Sequence, residues 1–152
     1  MENLLVNKVA AVKEVRQAAE YQKKKQACIL TGLAGSSKPV FFAAADKLRG
    51  GKGIMAFITA SREEIRTYRR ELNYLYPDLP MQELYPVSLP RVQADTQSLE
   101  LQAGRAAALR FLSGEERGIV FITAEALQQK QLRPSGMSGK ALQLAVGEEH
   151  EQ

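Results

Sequence analysis

The sequence predicts an α/β domain in which a parallel sheet is sandwiched by helices. Three observations point to it. The runs at 27–31, 54–58 and 118–122 are apolar almost without interruption, the pattern of strands buried on both faces. Helical patterns alternate with these runs, as in crossover-connected parallel strands. Glycine-rich turns follow strand ends, which directs any ligand to the carboxyl edge of the sheet.

Each element has its own signal. Leu5, Val9, Val12, Val15 and Ala19 recur at spacings of three and four, predicting one amphipathic helix over 3–21. Residues 27–31 (Ala-Cys-Ile-Leu-Thr) read as a buried strand, with Cys28 a core thiol. A loop containing Gly32, Gly35 and two serines leads to a buried helix over 40–45, which Gly50 and Gly51 end. A second buried strand spans 54–58. Ser61 and Glu64 then form a capping box, in which each side chain satisfies an orphan amide. The helix it opens carries Ile65, Tyr68, Leu72 and Leu75 on one side and stops before Pro77. Residues 81–92 read as a short strand and a long turn. A helix over 96–113 is closed by Gly114, a buried strand runs over 118–122, and a short helix covers 124–130. A last strand is expected at 141–146, before a polar tail.

The composition bounds the function. The chain has 152 residues, 45% apolar and 25% charged, with no tryptophan, which describes an ordinary globular domain. No apolar run nears the roughly 20 residues that span a membrane, and no signal-peptide layout opens the chain. A cytoplasmic location is expected. The net charge of +4 is uneven: residues 1–76 hold 14 basic and 7 acidic side chains, residues 77–152 hold 7 and 10. Basic clusters occur at Lys23–Lys25 and at Arg62, Arg66, Arg69 and Arg70. Without an RNA-binding signature, they predict at most weak, non-specific, salt-dependent DNA binding. His150 is the only histidine, which argues against a histidine metal cluster and a Ser-His catalytic arrangement.

One segment carries a chemical argument. A strand, a glycine-rich loop and a helix are the setting of a phosphate-binding loop. Aligned on the pattern G-x-x-x-x-G-K-[ST], the loop Gly32-Leu33-Ala34-Gly35-Ser36-Ser37-Lys38-Pro39 matches at Gly32 and Lys38 only. Ser37 puts a β-carbon where glycine allows close approach to phosphate. Pro39 stands where a hydroxyl would hold Mg²⁺; it lacks that hydroxyl and an amide hydrogen, and it biases Lys38 away from helical angles. Proline is nevertheless tolerated in a first helical turn, so the loop remains foldable as a plain strand-to-helix turn. Neither a bound cofactor nor a metal is expected at Gly32, Gly35, Ser36, Ser37, Lys38 and Pro39, and no catalytic residue is assigned. Residues 144–150 imitate a helicase acidic box, but Gly147 replaces the metal-holding aspartate.

The run Leu30–Lys38 resembles the degenerate phosphate loop of the bacterial transcription-repair coupling factors, the Mfd family. Leu84-Tyr85-Pro86 with Leu89-Pro90, Leu101-Gln102 through Leu109, residues 118–127 and residues 142–149 resemble further segments of that family, in order. The resemblance covers about residues 25–150. The same region is similar to the first domain of UvrB, the excision-repair helicase, which keeps an intact loop; Ser37 and Pro39 favour the coupling factors. The resemblance implies a partial RecA-like P-loop domain over 25–140, preceded by an N-terminal helix over 1–24. It also implies the start of a UvrA-contacting domain at 141–152, as in an excised N-terminal fragment. It implies a non-catalytic scaffold supporting UvrA recruitment in nucleotide excision repair, inside an ATP-dependent translocase that displaces stalled RNA polymerase and engages DNA through other domains. The alternative is an ATP- and DNA-binding fragment of a UvrB-type helicase.

Overall fold

A computed structural model describes residues 3–86, 99–114 and 117–130. Among the described residues, six helices and three strands follow one another: α1 (Leu4–Ala10), α2 (Lys13–Lys23), α3 (Ser37–Leu48), β1 (Gly53–Thr59), α4 (Arg62–Leu75), β2 (Met81–Leu84), α5 (Leu99–Gly114), β3 (Arg117–Thr123) and α6 (Ala124–Gln128). The strands form one parallel sheet in the order β1-β3-β2. Gly53 pairs with Arg117 and Thr59 with Thr123 across β1 and β3, while Met81 pairs with Ile119 and Leu84 with Ile122 across β2 and β3.

The central strand explains the two covering layers. Successive side chains of β3 point to opposite faces. Ile119 and Phe121 enter a core built with Ala43, Ala44, Ile65, Leu72 and Met81; Val120 and Ile122 enter a second core with Leu84, Ala108 and Ala126. Helices therefore cover both faces, as the unbroken apolar run predicts. Phe57 joins Phe42, Tyr68 and Phe121 at ring-centroid distances of 4.6, 5.1 and 5.6 Å. Burying a side chain of the size of Phe121 contributes about 1.5–3 kcal/mol. Gly118 has a steric reason: a β-carbon there would meet the Phe111 ring at 2.2 Å and the Pro80 carbonyl oxygen at 2.8 Å.

Two expectations are corrected. The single helix over 3–21 is two helices, broken at Ala11 and Val12, with Val12 extended and exposed. The buried residues are Val6 and Ala10, then Val15, Ala18 and Ala19. The step of five from Ala10 to Val15 would turn the apolar face by about 140° on a continuous helix; the break restores it, at the expense of Leu5 and Val12, which are exposed. The second correction concerns residues 27–31. They form no strand, Cys28 is exposed, and Ile29 is 92% exposed. A strand is made by its ladder, and among the described residues no ladder bond reaches this run. Lys25, in the left-handed region at φ 56°, instead turns the chain away after α2.

The remaining elements keep their places with small shifts. α3 starts three residues before the expected helix and ends three after it. Ser61 Oγ accepts from Glu64 N at 3.2 Å, and Glu64 Oε2 accepts from Ala60 N at 3.0 Å, one residue upstream of the expected partner. The turn beyond residue 86, the strand at 141–146, the acidic-box imitation and the expected domain boundary lie outside the described residues. No helix among the described residues is long and apolar enough to cross a membrane.

Candidate phosphate-loop site

The loop at Gly32–Pro39 leads into the N-terminus of α3, which packs beside α4. Gly32 and Gly35 take left-handed angles, φ 81° and 50°, conformations that side chains with a β-carbon rarely adopt. Ser36 is the residue before the helix, and its side chain makes no capping bond to it. The amides that would cradle a phosphate are turned inward. Ser37 N donates to Ala34 O at 3.1 Å and Lys38 N to Gly35 O at 3.4 Å. Ser37 Oγ also donates to Ala34 O, at 2.6 Å.

Pro39 is fully buried at the third position of α3. Its missing amide falls in the first turn, where the amides have no intrahelical acceptor. The expectation that it drives Lys38 out of helical angles is corrected: Lys38 is the second helical residue. The lysine is diverted by its side chain instead. Lys38 Nζ donates to the Tyr68 hydroxyl at 3.2 Å and lies 5.7 Å from the centre of that ring. The hydrogen bond to Tyr68 raises the Lys38 pKa above its ordinary value.

A carboxylate stands on the opposite wall. Ser36 Oγ donates to Glu71 Oε1 at 2.9 Å, and Glu71 Oε2 is buried without a hydrogen-bond partner. Glu71, Glu63 and Glu64 line a cleft of about 320 Å³ with Gly35, Ser36, Thr67 and Tyr68. The wall of the loop is thus acidic, and it repels a phosphate group while the helix N-terminus attracts one. Sequence reasoning missed Glu71. Its signal is present in retrospect: Glu63, Glu64 and Glu71 share one flank of α4, about 100° wide at 3.6 residues per turn.

The chemistry of hydrolysis needs acidic groups beyond the strand ends. β1 and β3 end side by side on Thr59 and Thr123, both buried and both committed to local bonds. Thr59 Oγ1 donates to Ser61 O at 3.0 Å, and Thr123 Oγ1 accepts from Ala126 N at 3.2 Å. Among the described residues, no three His, Cys, Asp or Glu side chains gather as a metal set.

A second charged cluster lies at the amino edge of the sheet. Asp46, with a side chain 2% exposed, takes Arg117 Nη2 at 3.0 Å and Arg49 Nη2 at 3.4 Å. The Arg117 guanidinium also lies 5.9 Å from the centre of the Tyr76 ring. This cluster fastens the C-terminal end of α3 to the first residue of β3. The carboxylate is buried between two guanidinium groups that balance its charge.

No family model, curated protein or solved structure matches this chain.

Proposed function

We propose that the chain is a non-catalytic nucleotide-fold scaffold of the transcription-repair coupling kind, a partial RecA-like P-loop domain that no longer runs ATP chemistry. The observation that carries this reading is the state of the loop. Its first helical amides bond back to Ala34 and Gly35, its lysine is held by Tyr68, and Glu71 faces Ser36 across the cleft. Pro39 supplies no metal ligand at the position where the motif requires one. Each feature opposes a nucleotide phosphate, and none prevents folding.

The proposed role follows from the resemblance of residues 25–150 to the coupling factors. The domain supports the surface through which the parent protein recruits UvrA, while translocation, RNA polymerase displacement and DNA engagement belong to other domains. The chain is cytoplasmic in this reading.

Two measurements test it. Calorimetric titration of the 152-residue chain with ATP and Mg²⁺ is expected to give no binding heat; micromolar affinity would overturn the scaffold reading in favour of a UvrB-type helicase fragment. Pull-down against UvrA is expected to be weak with this chain and strong with one extended through the following domain. Equal failure of both would remove the coupling-factor role.

A further inference from the structure

Most charges of α4 fall on two flanks, with Arg70 beside Glu71 and Ser36 in a cleft on the loop side. Glu63, Glu64 and Glu71 face the phosphate-loop side, where they line the cleft described above. Arg62, Arg66 and Arg69 lie within about 60° of one another on the other flank. There the helix meets the end of β2. The Arg62 guanidinium lies 4.6 Å from the centre of the Tyr85 ring, and Arg69 Nη1 bonds Glu83 Oε1 at 2.5 Å. Arg66 is exposed, lies close enough to Tyr85 to favour its phenolate, and makes no ion pair among the described residues. Arg105 of α5 closes the far side, donating to Tyr85 O at 3.2 Å and to Lys130 O at 3.3 Å.

From this arrangement we infer that the Arg62–Arg66–Arg69 stripe, with Tyr85 behind it, binds the phosphate backbone of a single-stranded nucleic acid. Among the described residues, Glu83 is the acid bonded within the patch, to Arg69 and the Tyr85 hydroxyl, which leaves Arg62 and Arg66 without an acidic partner there. Arg62 and Arg66 stand about 6 Å apart along the helix axis, a spacing comparable to that of successive phosphates on an extended strand. Arginine presents a planar fork of donors to phosphate, and a guanidinium stacked on an aromatic ring keeps its outer face open to a base. A nucleic acid is favoured over an acidic peptide because the stripe joins guanidinium groups spaced along the helix to an aromatic ring, the combination that tracks a phosphate backbone and stacks a base. This flank is distinct from the loop, so the inference stands apart from the scaffold reading.

The test is fluorescence anisotropy of a labelled oligothymidine with the full chain, read across a salt series. With Arg69 paired to Glu83, two phosphate contacts, by Arg62 and Arg66, predict a log–log salt slope of about −1.4, from about −0.7 per contact on a single strand. Arg66→Ala is expected to reduce the slope by about 0.7 and weaken binding several-fold at low salt. Lys23→Ala with Lys24→Ala is expected to leave both unchanged. Arg66 is exposed, so its variant keeps the fold, which a circular-dichroism melt matching the parent chain verifies. The inference is overturned if the lysine pair matters as much as Arg66, if the slope ignores Arg66, or if oligoglutamate displaces the oligonucleotide at equal charge concentration. The last result would assign the stripe to an acidic protein partner.

Discussion

Ser36 Oγ and Glu71 Oε1 lie 2.9 Å apart, which joins the residue before α3 to the third turn of α4. The contact sets a carboxylate against the glycine-rich loop. A bound phosphate would have to displace or neutralise that carboxylate and also recover the amides of Ser37 and Lys38 from Ala34 and Gly35.

Restoring the motif's letters does not restore its chemistry. Ser37→Gly with Pro39→Thr supplies the missing glycine and hydroxyl, yet β1 and β3 still end on threonines that cap local structure. Phosphate-release assays with ATP and Mg²⁺ are expected to show no turnover above the buffer rate, even when Glu71→Gln is added. Turnover from the triple variant would refute the assignment of the domain as non-catalytic.

The Asp46 cluster makes an asymmetric stability prediction. Arg117→Ala leaves a buried carboxylate with only the longer Arg49 contact, and breaking a buried pair costs about 3–5 kcal/mol. Because the Arg117 side chain is itself 46% exposed, a loss of about 2–3 kcal/mol is expected here. Asp46→Ala releases Arg117, which reaches water, and leaves Arg49 its bond to the Gly53 carbonyl oxygen at 3.3 Å, so it is expected to cost less. Urea unfolding of the two variants gives the order directly; a larger loss for Asp46→Ala would contradict it.

Gly118→Ala places a methyl group against the Phe111 ring and the Pro80 carbonyl oxygen. Forcing atoms into a filled core costs about 1–3 kcal/mol, and the carbonyl is backbone that cannot swing aside. The variant is expected to melt lower than the parent, and Phe111→Leu in the same chain is expected to recover part of the difference.

Burial, with the 2.5 Å hydrogen bond to Glu83, pushes the Tyr85 phenol up to about 12. A folded-state pKa above the ordinary value of 10 means that this contribution to stability is complete below pH 10. It is lost as pH rises toward about 12. The phenolate absorbance lost in Tyr85→Phe is expected to titrate in that alkaline window, and Glu83→Gln is expected to move it down. An unchanged midpoint in Glu83→Gln would show that burial alone sets it.

The alternation of elements was legible because each rests on local patterns. The unbroken apolar run of β3 announced a strand covered on both faces, and Ser61 with Glu64 announced the start of α4. Residues 27–31 misled because apolarity marks a run as able to pair without naming its neighbour. Val12 misled because a spacing of three and four can be read through a break that the step from Ala10 to Val15 requires. At the loop, the two damaged letters were visible in the sequence. Glu71 was not, because its contact with Ser36 joins residues 35 positions apart through the packing of two helices.

The Asp46 cluster also bears on which positions around α3 can change. It anchors α3 at the end opposite the loop, against the first residue of β3, while Ala43 and Ala44 fasten the middle of the helix in the core. The buried ring of Pro39 fastens its first turn as well. A helix held at both ends and in the middle leaves the exposed residues at its entry, Ala34, Ser36 and Ser37, free to accept substitutions without loosening the layer behind them.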